Sequence, residues 1–362
     1  MEAKLQTFGS SLLVPCVREL AKESPTIVPS RYIQRDQDPP ITSYATSIPD
    51  VPIIDMEKLL SGDHMELKKL DSASKEWGFF QLINHGVSSA LLEKVKLEIS
   101  EFFNLPIEEK KKFWQDLGDI EGFGQSNVLS EEQKLDWGDM FFLTTLPTHS
   151  RKPRLFPKLP LPFRDTLDNY ANELKHLAVK ILDFMSKALK MKAEEMRDLF
   201  EEGRQSMRMN YYPPCPQPEK VNGLTPHSDG AGLTILLQIN EMEGLQIKKD
   251  GMWVPVKPIP QTFVVNIGDS LEIVTNGAYR SIEHRAVVNS RKERLSIATF
   301  YSPRVDGEMG PAPSLITPQT PALFRRLGVS EYFKSFLAQK LDGKSHLDAM
   351  RIEKEPEQLK HP

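Results

Sequence analysis

Apolar residues recur along this chain in two rhythms, and the change between them falls near residue 205. Before it the spacing is mostly helical. Leu91, Leu92, Val95, Ile99, Phe102 and Phe103 follow Ser88, a residue type that caps helices, and together predict one amphipathic helix. Leu167, Tyr170, Leu174, Leu177, Ile181, Met185 and Leu189 predict a longer one over 163–189, with His176 part of the scaffold. Shorter helices are expected at Val17–Lys22 and 67–77, and Pro106 opens another, whose charge run over 108–112 reads as a solvated face. Two short strands interrupt this region. One is 51–55, where Pro52 suits a sheet edge, and the other is 79–83, ending at the turn Asn84-His85-Gly86. His85 there reads as a hydrogen-bonded turn residue.

After residue 205 the pattern becomes short β segments separated by Gly and Pro. Strands are predicted at 207–212, 233–239, 244–247, 252–256, 262–267, 286–288 and 295–300, with Asp250-Gly251 as a two-residue hairpin signal. A turn of helix is expected over 269–275, in which capping or solvent contact suffices for Asp269 and Glu272. Seven or eight antiparallel strands around a site imply a double-stranded β-helix, the jelly roll. The expected organisation is a helical N-terminal region with short strands (1–200), a jelly-roll core (201–305), a C-terminal loop and helix (306–352) and a polar tail (353–362). A polar, Pro-rich stretch before residue 50 reads as an arm over the core.

Within the β region, side-chain alternation puts His227 and Asp229 on one side of an extended backbone. His284 must reach them from another strand. Two His and one carboxylate on one face of an octahedral metal leave positions open, the ligand set of non-haem Fe(II) oxygenases. A structural zinc site would close with four ligands and favour Cys. A lone His-x-Asp pair is common by chance; Arg294-Leu295-Ser296, ten residues after His284, strengthens the case. Its guanidinium can grip a carboxylate with paired bonds, with Ser296 adding a hydroxyl. The plainer alternative is a surface arginine paired with Glu283 or Glu293.

These residues resemble the plant 2-oxoglutarate- and Fe(II)-dependent dioxygenases, whose pattern is H-x-D, a distal H, and R-x-S ten residues later. Asn210-Tyr211-Tyr212-Pro213-Pro214-Cys215-Pro216, Trp77-Gly78-Phe79-Phe80 and Asn84-His85-Gly86 extend the resemblance over nearly the whole chain. Glu121-Gly122-Phe123-Gly124-Gln125 and Leu341-Asp342-Gly343-Lys344 are most similar to the branch holding codeine and thebaine O-demethylases and senescence-related proteins. The resemblance implies that His227, Asp229 and His284 hold Fe(II). It implies further that 2-oxoglutarate chelates the metal with its distal carboxylate on Arg294 and Ser296, assisted by Tyr212 and Asn210. Dioxygen completes the reaction, and ascorbate keeps the iron reduced. Succinate and CO2 are released as a substrate C–H bond is oxidised; at an O-methyl carbon that chemistry ends in demethylation. Candidate substrate contacts are Phe123 and Gln125 in a Gly-flanked loop, Phe300 and Ser302 beyond Ser296, and Arg208 on the face of Asn210 and Tyr212. Gly230 joins them, standing where several relatives carry a bulkier side chain and suggesting room near the iron. An aromatic plant metabolite, such as an alkaloid, flavonoid or other phenylpropanoid, is the expected substrate.

Composition narrows the alternatives. Over 362 residues, 39% are hydrophobic and 27% charged, and the net charge of −4 offers no footprint for nucleic acid or anionic membrane. Cys16 and Cys215 are the two cysteines, so a disulfide framework is not expected and a reducing compartment is. The apolar run closed by Pro15 is too short for a signal or membrane segment. A cytoplasmic monomer is the expectation. Three other readings share the scaffold: a cofactor-independent condensing enzyme of the norcoclaurine-synthase type, a non-catalytic small-molecule binding protein, and an ethylene-forming type of oxidase using ascorbate. The first would be expected to have lost Arg294 and Ser296.

Overall fold

A computed structural model of the chain describes residues 11–23, 25–34, 49–125, 128–340 and 342–352. Most of the expected arm and the polar tail lie outside the described residues. The strands of the two main sheets are β1 (Ile53–Asp55), β2 (Phe79–Ile83), β3 (Gly122–Gly124), β4 (Asp139–Leu146), β5 (Arg204–Tyr212), β6 (Leu224–His227), β7 (Leu233–Gln238), β8 (Leu245–Lys249), β9 (Met252–Pro255), β10 (Phe263–Ile267), β11 (His284–Ala286) and β12 (Arg294–Ser302). The major sheet runs β1-β2-β10-β7-β12-β5-β4-β3 and the minor sheet β6-β11-β8-β9. Together they form the expected jelly roll, without closing into a single barrel. The helices are α1 (Val17–Lys22), α2 (Met56–Leu60), α3 (His64–Glu76), α4 (Ser89–Asn104), α5 (Ile107–Lys111), α6 (Leu161–Ala188), α7 (Ala193–Phe200), α8 (Asp269–Val274), α9 (Val329–Leu337) and α10 (Ser345–Ala349).

Strand alternation divides the major sheet into an oily face and a polar one. On β5, Met207, Met209 and Tyr211 point into the large core, where Leu174, Leu177 and Ile181 of α6 meet Ile235 and Leu237 of β7 and Ile297 of β12. Arg208, Asn210 and Tyr212 therefore point the other way, into the space facing the minor sheet. Beside that space, Phe79, Leu245, Ile247, Val254 and Val264 pack the two sheets together. The long helix thus braces the sheet as its periodicity predicts, and α3 begins where the Asp63 carboxylate accepts from the Met65 and Glu66 amides at 2.7 and 3.2 Å. At the start of α4, the Ser88 side chain makes no capping bond.

Three features go beyond or against expectation. The N-terminal region contributes β1 to β4 to the major sheet, so it is more than a brace. Among those, β4 escapes an alternation test because helices cover one face and the interior the other, leaving seven of its eight residues buried. Lys110, in the charge run of α5, is buried; it donates to the Phe103 carbonyl at 3.0 Å and lies 5.5 Å from the Phe123 ring centre. The strand expected at 286–288 lies instead at His284–Ala286. Other details hold. Asp250 and Gly251 close the β8–β9 hairpin with φ of 50° and 81°, and the His85 Nδ1 accepts from the Val87 amide at 3.1 Å. Among the described residues no helix is long and apolar enough to cross a membrane.

Leu174 is fully buried where α6 meets the sheet. Leu174→Ala should lower the unfolding free energy by about 2–5 kcal/mol, read from denaturant midpoints. The surviving folded fraction should keep its metal affinity, because the cavity opens on the opposite face of the sheet.

Candidate active site

His227 ends β6 and His284 begins β11, and the antiparallel register sets them directly opposite each other. Residues opposite one another share a face, so the two imidazole centres come within 4.3 Å. Asp229, two residues beyond His227, brings its Oδ1 to 3.5 Å from the His227 Nε2 and 3.7 Å from the His284 Nε2. The three ligand-type atoms all lie within 4.8 Å of one another.

The surrounding bonds aim those atoms. The Nδ1 of His227 lies 2.7 Å from the Thr225 carbonyl and that of His284 3.1 Å from the Ile282 carbonyl. A carbonyl only accepts, so each Nδ1 carries the proton and each Nε2 presents a lone pair to the centre. Asp229 Oδ2 accepts from the Thr234 hydroxyl at 2.6 Å and the Asn266 amide at 2.8 Å, which leaves Oδ1 for the centre. Behind His227, the Asp136 carboxylate accepts from both the Thr225 amide and its hydroxyl at 2.9 and 2.7 Å. Burial, reinforced by His227, pushes the His284 imidazole down to about 4. Burial alone would raise the Asp229 carboxyl; the imidazoles of His284 and His227 and the Thr234 hydroxyl hold it well below the usual carboxylate range. A neutral imidazole and an ionised carboxylate are the forms a divalent metal needs, so this donor set fits Fe(II).

Deeper in the same space, β5 and β12 pair Arg294 with Tyr212 and Ser296 with Asn210. Arg294 is buried, 5.5 Å from the Tyr212 ring centre. Its terminal nitrogens reach the Ser296 hydroxyl and the Gln238 carbonyl oxygen, each at 3.4 Å, and its Nε has no hydrogen-bond partner among the described residues. Gly244 leaves it room, since a Cβ there would fall 2.6 Å from the Arg294 Cδ. The Asn210 Oδ1 is likewise unpartnered. No carboxylate among the described residues pairs with this guanidinium, and a buried cation without one is costly. A carboxylate ligand such as that of 2-oxoglutarate fits the gap. The surface pairing of Arg294 with Glu283 or Glu293 does not occur: Glu283 pairs with Lys248, and Glu293 accepts from Tyr211.

Arg208, His227, Asp229 and Phe300 also line an outer cavity of about 120 Å³. Gly230 and Ser302, named as candidate substrate contacts, border it. Phe123 and Gln125 do not. Phe123 pairs with Phe141 and packs with Phe102 and Phe103 in the large core. Gln125 donates to the Asp136 carbonyl at 3.1 Å and accepts from Ser11 at 2.7 Å. The aromatic that reaches the cavity from this hairpin is Phe142, one residue out of phase with Phe141. Ile120, Phe333, Phe336 and Leu337 were not expected there either. The last three come from α9, which was expected only as a helix somewhere in 306–352. Phe336 fills the room expected at Gly230, where an added Cβ would meet its ring at 3.0 Å.

Fold and site together define an oxygenase built on two facing sheets with a two-His, one-carboxylate centre. Residues 203–303 match the 2OG-Fe(II) oxygenase superfamily, and 51–159 match the N-terminal region of non-haem dioxygenases in morphine synthesis. The chain is 56% identical to the oxoglutarate-dependent flavonoid 7-O-demethylase 1 of Ocimum basilicum, over 97% of this chain and 94% of that protein. It is 54% identical to the codeine O-demethylase of Papaver somniferum, over 95% and 98%. The solved structure of JOX2 in complex with 2OG, Fe and JA superposes with a TM-score of 0.84 at 35% identity, covering 94% of this chain and 98% of that one. The chain belongs to the 2-oxoglutarate and Fe(II)-dependent oxygenases, and it is a dioxygenase that uses iron and 2-oxoglutarate.

Arg294→Lys keeps the charge and loses the planar fork, so it should raise the 2-oxoglutarate concentration needed for half-maximal turnover. Bonds to charged groups contribute about 1.5–3 kcal/mol, which corresponds to roughly a ten- to hundredfold weakening. Initial rates of succinate release across a 2-oxoglutarate titration give the value, and an unchanged one would remove Arg294 from this role.

Proposed function

We propose that the enzyme O-demethylates a methoxylated aromatic plant metabolite, with His227, Asp229 and His284 holding iron and Arg294, Ser296, Asn210 and Tyr212 holding 2-oxoglutarate. The observation that carries this is the outer cavity, whose Phe142, Phe300, Phe333 and Phe336 offer aromatic walls directly beside the iron-binding group. Bound there with 2-oxoglutarate and dioxygen, iron supplies the oxidation of a substrate C–H bond. The chain's own part is placement. The rings and Ile120 exclude water and flatten the site, while Arg208 and Ser302 are positioned to bond oxygen substituents. Once a methoxyl carbon is hydroxylated, the resulting hemiacetal releases formaldehyde and leaves a phenol, so no side-chain nucleophile or general base is required.

The similarity to a flavonoid 7-O-demethylase and to a codeine O-demethylase sets phenolic and basic substrates against each other. Electrostatics favour the phenolic class. Arg204 and Arg208 face the cavity, Asp229 is its one lining carboxylate among the described residues, and Glu121 lies 3.6 Å from Arg204. With Arg204 paired to Glu121, a protonated amine would still meet the Arg208 guanidinium, which has no ion-pair partner among the described residues. A monomeric, cytoplasmic enzyme completes the reading, supported by two buried cysteines that are free thiols.

The test is succinate and formaldehyde release with methoxylated flavones and, in parallel, methoxylated alkaloids. Equimolar succinate, formaldehyde and demethylated flavone are expected; turnover confined to the alkaloids would overturn the phenolic assignment. Phe336→Ala should enlarge the space over Gly230 and so shift which methoxyl is removed or admit bulkier rings, with the 2-oxoglutarate requirement unchanged. Product regiochemistry by mass spectrometry decides it, and an unaltered product set in the folded variant would take Phe336 out of the substrate's path.

A further inference from the structure

The segment 342–344 takes no part in the chemistry above, yet it lies against the strand that carries His227. β6 is an edge strand of the minor sheet, with β11 on one side. On its other side Gly343 forms a parallel bridge with His227. The Gly343 amide donates to the Pro226 carbonyl at 3.2 Å, and its carbonyl accepts from the Ser228 amide at 3.0 Å. His227 is thus bracketed before and behind by one residue from the C-terminal segment. That segment is anchored in turn at Glu272 of α8. The Glu272 side chain is buried, and accepts from the Ser281 amide at 2.7 Å, Lys344 at 3.0 Å and Arg351 at 3.0 Å. This corrects the expectation that capping or solvent contact would account for Glu272.

The same segment holds the roof. His346 of α10 is buried, with its ring centre 5.0 Å from Tyr332 and 5.3 Å from Phe336, both on α9. Phe336 lies over Gly230, next to Asp229. One anchor therefore ties together the cover of the substrate cavity and the backbone on both sides of a ligand histidine.

We propose that Glu272 is a positioning residue for the iron site, acting through Lys344, Arg351 and Gly343 on His227 and through α10 on the α9 roof. This rests on the reading of His227, Asp229 and His284 as the iron ligands. Groups that orient metal ligands without touching the metal typically change metal affinity by about ten- to a hundredfold when removed. Glu272 stands two contacts further back, so the lower end applies.

The experiment titrates metal-free full-length protein with Mn(II) and follows amide hydrogen exchange in peptides covering 226–229. Glu272→Gln should weaken Mn(II) binding by about tenfold and speed exchange at Ser228. Lys344→Met with Arg351→Met, which leaves the buried α8 residue intact, should do the same. The triple variant should be no worse than Glu272→Gln alone, because all three changes break one contact network. Wild-type Mn(II) affinity in the folded Glu272→Gln or Lys344→Met/Arg351→Met protein would overturn the proposal. So would weaker binding without faster exchange at 226–229. If His227→Ala bound Mn(II) as tightly as wild type, the iron reading itself would fall, independently of Glu272.

Discussion

Antiparallel pairing of β6 with β11 is the constraint on which the rest of the site depends. It sets His227 against His284 by backbone hydrogen bonds alone, before any metal is involved. Because side chains alternate with period two, a slip of one residue would turn one imidazole out of the interior and leave a single imidazole facing Asp229. The neighbouring bonds all guard against that slip or its rotational equivalent. Carbonyls of Thr225 and Ile282 fix the two Nδ1 protons, while Thr234 and Asn266 use up the second oxygen of Asp229. Ligation then requires little rearrangement.

A second consequence is the charge carried inside. Arg294 and Asp229 sit in a space from which two sheets exclude water, and each ionised group there loses hydration that only other polar groups can replace. Asp229 has donors around it. Arg294 has two long contacts and an idle Nε. The inner site is therefore better matched to a bound carboxylate than to its own side chains.

Much of this was legible in the sequence because it obeys local periodicity. Alternation on β5 separates Met207 and Met209 from Arg208, Asn210 and Tyr212, and the same rule on β12 groups Arg294, Ser296 and Phe300. The strands at 207–212, 233–239 and 262–267 were visible as short apolar segments between Gly and Pro turns. What escaped depends on partners that sequence does not name. β4 shows no alternation since both its faces are covered. Phe123 faces the core rather than the cavity because β3 pairs in register with Phe141, leaving Phe142 to point inward. α9 is recognisably amphipathic, but nothing local says that its apolar edge meets Gly230 rather than a sheet.

That last contact bears on how one scaffold serves many substrates. The candidate iron-binding group is carried by β6, β11 and the residues just after β6, and the Arg294 pocket by β5 and β12, whose nine-pair register tolerates little change. The outer cavity instead takes Phe333, Phe336 and Leu337 from a single helix, α9. A glycine at 230 and a phenylalanine at 336 are complementary: enlarging one requires shrinking or moving the other, as the 3.0 Å approach shows. Cavity shape can thus be varied by substitutions paired across the α9 contact without disturbing the strands that hold the chemistry. Variation in substrate therefore belongs at the roof, and constancy of mechanism at the strands beneath it.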